Sequence, residues 1–189
     1  MATKIELINK IMDPDNRLVL QAVAEMRVRG WLTDGSLRGI PLCRAQMQDA
    51  DLMEADLCSV DFHQADLENA DLSRAKLNAA RFNRANLRGA NFDHADLTYA
   101  DFYKAELRWA RNLTDKQLSK VRQLFGATMP NGDPYDGRFN LPADLELARW
   151  AKVDTTNQEA MAKFYGTPLE VYLAGQGVIK EKPMPKGIG

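Results

Sequence analysis

The residues of this 189-residue chain best suited to metal or acid–base chemistry are two histidines, two cysteines and a long series of carboxylates. Cys43 and His63 stand 20 positions apart, with Cys58 and Asp61 between them. Thiolate and imidazole both bind zinc, but a zinc site needs further ligands at tetrahedral distances. Asp61 belongs to a different position of its repeat, and solvent-exposed polar residues explain the group as well; no metal is expected. Asp51, Asp56, Asp61, Asp66 and Asp71 invite a second reading, as paired carboxylates for proton transfer. Their even spacing of five argues otherwise, because it distributes the acids instead of gathering them at one site. The chain has no Gly-rich phosphate loop, no Cys-x-x-Cys and no serine elbow. These observations point to a protein that is not an enzyme and needs no cofactor.

The spacing itself comes from the element that carries the acids. From Ala45 to Ala110 alanine returns every fifth residue, and of these 14 positions only Val60 departs. The position two residues after each alanine is always apolar: from 37 to 107 it holds ten Leu, four Phe and Met47. Ala50-Asp51-Leu52-Met53-Glu54 runs into Ala55-Asp56-Leu57-Cys58-Ser59, and the same phrase continues through Ala95-Asp96-Leu97-Thr98-Tyr99. A helix would scatter such residues around its surface, and a strand would send them to alternate faces. A chain that turns a corner after every pentapeptide points them all at one axis, and stacking its coils buries them.

This pattern of Ala-(Asp/Asn)-Leu-x-x resembles the pentapeptide-repeat family, and the resemblance covers residues 35–110. It implies a mainly β fold, a right-handed quadrilateral β-helix of about four coils with 20 residues in each. Phe62, Phe82 and Phe102 lie 20 apart and would form one interior column. His63 and His94 then fall on different sides of the coil. Some members of the family mimic duplex DNA and bind type II topoisomerases, protecting them from inhibitors. Others dimerise through C-terminal helices.

Open coil ends require caps. Residues 1–34 read as a helical N-terminal cap: a small helix from Thr3 to Met12, then one starting at Asp13-Pro14 and stopped by Gly30. Leu18, Val19, Ala22, Val23 and Met26 form its apolar face, and Trp31 and Leu32 form a plug. After Ala110 the period stops, and residues 111–175 read as a helical module that caps the coil or joins two copies. Its predicted helices begin at the capping box Thr114-x-x-Gln117 and end at Gly126, run from about Pro142 to Lys152, and start again at Thr156 and at Thr167-Pro168, with Gly166 and Gly175 as stops. Met129 to Gly137 is turn chemistry. Residues 176–189 read as a disordered tail.

Net charge is −1, and 45% of residues are apolar, without a run long enough to span a bilayer. The first residues lack the pattern of a secretory signal, and two cysteines suit a reducing compartment. The expectation is a cytoplasmic protein that binds neither membrane nor nucleic acid directly. A DNA mimic needs a continuous acidic stripe, but the acids come in bands. Residues 45–73 hold eight acids and no base, 74–92 hold Arg74, Lys76, Arg81, Arg84 and Arg88 and no acid, and 93–106 return to acid. Lys76 would stack between Asp56 and Asp96, and Arg81 between Asp61 and Asp101. The candidate acidic patch is Asp51, Asp56, Asp61, Asp66 and Asp71. Tyr99, Tyr103, Lys104, Arg108 and Trp109 form the candidate protein-contact surface, by their side-chain types. The expected function is a protein-binding scaffold, with the topoisomerase-binding DNA mimic as the alternative; a homodimer through the C-terminal helices is one expected assembly.

Overall fold

In the computed structural model of the chain, residues 2–177 are described. Their organising element is a ladder of single parallel bridges, one on each pentapeptide. Pro41 pairs with Asp61, Gln46 with Asp66, Asp51 with Asp71 and Asp56 with Lys76, and the series continues to Asn91 with Arg111. Each partner lies 20 residues on, so four sides close one coil, and successive coils stack at about 4.8 Å. Each side ends in a turn, such as Ala55 N–H to Leu52 O at 3.1 Å. The residue before each alanine takes positive φ: Arg44, Asp49, Glu54, Ser59, Gln64 and so on to Trp109, with φ between 53° and 66° throughout. That corner turns the next side inward and lets every central residue reach the axis.

The axis is filled. Leu52, Leu57, Phe62, Leu67 and Leu72 are all fully buried, as are the alanines between them. Phe62, Phe82 and Phe102 stack as the 20-residue register requires, with ring centroids 5.2 and 5.0 Å apart and planes within 7° and 13°.

Two helices close the first coil. α1 (Lys4–Ile11) is capped by Thr3 and Glu6, and α2 (Asn16–Val28) by Asp15, two residues later than the Asp13-Pro14 start that the sequence suggested. The Asp15 carboxylate accepts from the Arg17 N–H, so it takes the N-cap role from Asp13. Val19, Ala22, Val23 and Met26 face the coil, with Leu18 half-buried beside them. Leu32 is buried on the opening, and its carbonyl accepts from the Asp56 N–H at 2.7 Å. Trp31 lies between Lys4 and Arg29, 5.2 and 4.8 Å from its ring.

At the other end the helix expected over 114–126 is only α3 (Asp115–Leu118). It is an insertion, after which the coil resumes two residues out of register. Gln123 bridges Asp101 and Thr128 bridges Glu106, now 22 residues apart. Leu124 and Ala127 are fully buried on the axis, and Gly126, with φ 72°, is a coil corner and not a helix stop. The Gln117 amide, besides closing its capping box, donates to the Phe92 and Ala95 carbonyls at 2.9 and 3.0 Å.

Over this last turn lie α4 (Pro142–Trp150), α5 (Gln158–Tyr165) and α6 (Leu169–Gly175). Asn157 caps α5 in place of Thr156, whose hydroxyl donates to Asp154 instead. Pro168 precedes α6 without a side-chain cap from Thr167, and Gly175 is its last residue. The apolar side of these helices rests on the coil: Phe125 meets Phe164 at 4.5 Å and Tyr165 at 6.1 Å. Gln176 is tied down, donating to the Gly137 carbonyl at 2.8 Å, so the ordered chain extends past 175; the expectation of a disordered tail otherwise lies outside the described residues.

Candidate functional site

The five acids of the candidate patch spread over all four sides of the coil, and only Asp51 and Asp71 share one. Each is also engaged. Arg27 of α2 bonds Asp51 at 2.6 Å and reaches the Asp51 and Met53 carbonyls as well. Asp56 is 2% exposed and grips Arg38 through both oxygens, at 2.8 and 2.6 Å, with Lys76 at 3.7 Å. The Arg38 guanidinium holds its carboxyl down to about 2. Arg81 bonds Asp61 at 2.7 Å, while Gln48 and Asn86 bond Asp66 at 2.7 and 2.9 Å and Asn91 bonds Asp71 at 3.1 Å.

The opposite charges do stack as the 20-residue register implies, but unevenly. Lys76 and Arg81 each bridge to the acid above and the acid below in the ladder. Their ion pairs go to Asp56 and Asp61 only. Asp96 instead accepts from Asn78 at 2.7 Å and from Thr98, and Asp101 from the Tyr103 N–H. Such pairs contribute roughly 0.2–1 kcal/mol each and break the acidic stripe that mimicry of DNA requires.

The contact-surface candidates divide. Tyr99, Lys104 and Trp109 occupy three successive corners of one coil, and Tyr103 and Arg108 precede the latter two, so the group wraps around the coil instead of clustering. Tyr103 packs on Phe125 at 6.2 Å and belongs in part to the C-terminal contact. Tyr99 and Trp109 are 70% and 62% exposed. Arg88, which drew no attention in the sequence beyond its charge, lies 4.6 Å from the Trp109 ring.

Cys43 and His63 do occupy adjacent coils, where the Arg44 N–H bonds the His63 carbonyl at 2.8 Å. No group of three metal-binding side chains converges among the described residues. Burial pushes both thiols up. In the C-terminal module Tyr135 is buried and accepts from the Phe139 N–H at 3.0 Å. Asp136 and Arg138 neutralise each other at 2.9 and 2.8 Å between two shallow clefts. The carboxylate that sequence reasoning missed is Asp144, fully buried at the foot of α4. It accepts from the Phe125 N–H at 3.0 Å and the Leu124 N–H at 3.3 Å, the free edge of the last coil. Its sequence signal, an acid in the first turn of a Pro-initiated helix, is too common to mark it.

A stacked coil with a filled axis and outward-facing corners defines a β-solenoid, a class whose chemistry lies on its walls. Residues 36–74 and 75–111 match the family model "pentapeptide repeats", in eight copies, and this segment belongs to the pentapeptide-repeat family. Proteins of this family are generally structural or interaction proteins. Among solved structures the chain is similar to a pentapeptide repeat protein from the thylakoid lumen of Arabidopsis thaliana, at 23% identity and TM-score 0.42, over 68% of this chain and 89% of that one. It is similar to HetL of Nostoc sp. strain PCC 7120, involved in heterocyst differentiation regulation, at 30% identity and TM-score 0.34, over 49% and 42%. QnrB1, a plasmid-mediated fluoroquinolone resistance protein, matches at 19% identity and TM-score 0.26, over 49% and 58%. The chain thus spans less than two thirds of HetL and of QnrB1. No curated protein matches it. Among the described residues no helix is long and apolar enough to cross a membrane.

Proposed function

We propose that the protein is a non-enzymatic scaffold, a right-handed quadrilateral β-helix whose rigid walls and corners bind another protein in the cytoplasm. The observation that carries this reading is the exposure of Tyr99 and Trp109 at coil corners. Large aromatic residues are favoured neither at positive φ nor in water, and both types are enriched where proteins meet. The test is capture of a partner from the source cell by wild type and by Tyr99→Ser and Trp109→Ala. A partner lost with either variant supports the reading; one held equally by all three forms, or none at all, removes it.

A homodimer through the C-terminal module is a narrower form of the same reading. It would use the outer surface around Trp150, which is 83% exposed, because Phe164 and Tyr165 are spent on the coil. A single monomeric species in light scattering at high concentration removes it. The paired acids weigh against the topoisomerase-binding alternative, so a gyrase supercoiling assay should show no relief of inhibition at stoichiometric excess.

A further inference from the structure

One side of the solenoid differs from the rest in its unpaired cations. It begins at the corner formed by Arg84 and Lys104, which stand one coil apart because Arg81 bridges Asp101 before that corner and Asn86 bridges Glu106 after it. Arg88 and Arg108 follow on the same side in the same two coils, joined where the Gly89 N–H bonds the Arg108 carbonyl at 3.0 Å. Trp109 stands at the next corner, and Arg111 folds back towards it, its Nε donating to the Gly89 carbonyl at 3.1 Å. Five cations therefore lie along this side between its two corners, and Arg88 lies 4.6 Å from the exposed indole at one of them.

Only one of the five is neutralised. Arg108 bonds Glu106 at 2.8 Å, whereas Arg84, Arg88, Lys104 and Arg111 have no ion pair among the described residues. The Arg88 Nε is buried without any hydrogen-bond partner. Elsewhere Arg38, Arg74, Lys76 and Arg81 on the coil and Arg27 on α2 each sit on an acid, and Arg44, in the same corner column as Arg84, donates to Gln64. The Arg88 guanidinium, with no acid of its own, lies against the Trp109 indole.

We infer that this side, from the Arg84–Lys104 corner to Trp109, binds a short acidic segment of a partner protein. The inference rests on the scaffold reading and adds the chemistry of the partner. Guanidinium forks accept carboxylates in bidentate pairs, and an exposed Trp among Arg residues is a typical interface anchor. The basic area is two coils tall, and in the coils beneath it the same side carries Asp66 and Glu68, then Arg44 and Asp49 at its two corners. Nucleic acid binds by matching many phosphates, and a duplex laid along this wall would run from cations on to those acids. A short acidic peptide fits within the basic part alone.

The test is fluorescence anisotropy of a labelled hexaglutamate peptide with the full chain at low ionic strength. R84Q/K104Q should weaken binding by about tenfold or more, W109A should weaken it as well, and added salt should abolish it. R17Q/R74Q removes the same charge from α2 and from the diagonally opposite corner, and should leave binding unchanged. Equal loss in that control, no binding of the peptide by wild type, or tighter and equally sensitive binding of a single-stranded oligonucleotide would each overturn the inference. If the peptide fails while partner capture still depends on Tyr99, this inference falls and the scaffold reading stands.

Discussion

Each corner of the coil asks one residue to adopt a left-handed backbone, which costs a non-glycine residue roughly 1 kcal/mol. From 44 to 109 every corner residue but Gly89 bears that cost. Ala79, with φ 56°, is exposed and makes no side-chain hydrogen bond in return. Ala79→Gly should therefore stabilise the protein by up to about 1 kcal/mol in chemical unfolding, despite the greater freedom of glycine in the unfolded chain; a loss of stability would show that the corner is not strained. Asp144 makes the opposite kind of prediction. Burial, with Asp101 nearby, raises its carboxyl to about 7, against the pull of the Phe125 and Leu124 N–H groups and of Gln123. The folded chain thus keeps a proton that the unfolded chain releases near pH 4. Stability supplied by this group is full below pH 4 and lost as pH rises towards 7, by at most about 1.4 kcal/mol per pH unit. Asp144→Asn keeps the acceptor oxygen for the coil edge and removes the titration. Unfolding free energies at about pH 5 and about pH 7.5 should then converge, and a pH slope as steep as in the wild type would refute the assignment.

The helices and sides show where a pattern suffices and where it misleads. The five-residue period was legible from 37 to 110 because alanine and leucine are the residues that fit inside a coil of this size. The Phe column followed from it by counting 20. Beyond Ala110 the same physics continues under a different rhythm. Leu118, Val121, Leu124 and Phe125 lie three or four apart, which reads as one helical face, yet Val121 and Leu124 are interior residues of the resumed coil. The two-residue shift introduced by α3 hides Ala127-Thr128-Met129 as a pentapeptide, although its alanine and central apolar residue are both present. The caps were located by their punctuation, but which of two neighbouring Asx or Thr residues would cap a helix depends on geometry, as Asp15 and Asn157 show. Of the surface, the types of the contact residues and the stacking of Lys76 on Asp56 and of Arg81 on Asp61 were legible, while the Arg27 bond to Asp51 was not, because Arg27 comes from outside the repeat. If Leu124 is truly interior, Leu124→Ala should cost about 2–5 kcal/mol, as for a buried core leucine. If it lay on the outer face of a helix the cost would be far smaller, so equilibrium denaturation separates the two placements.

As a whole the molecule is a short stack held between two unlike lids, and its integrity depends on both. A solenoid contacts only its nearest neighbours, so each end coil has half the partners of a middle one and a free edge of backbone groups. The N-terminal lid supplies these directly: the Leu32 carbonyl takes the Asp56 N–H, Arg27 takes the Asp51 and Met53 carbonyls, and Asn16 takes the Gln48 carbonyl at 3.1 Å. Val19, Val23 and Met26 also cover the open axis, each no more than 2% exposed. Deleting residues 2–34 would expose that edge together with the apolar residues it shields, a template for pairing with other chains. The truncated protein should form species larger than those of the intact chain in light scattering, while its circular dichroism retains the solenoid signal. Arg27→Ala, which removes two edge bonds and the Asp51 ion pair but leaves the apolar cover, should only lower stability, by about 1–3 kcal/mol. A truncated chain that stays folded and no larger than the intact one would mean that the stack closes itself, and that the helices of the N-terminus are there for something other than capping.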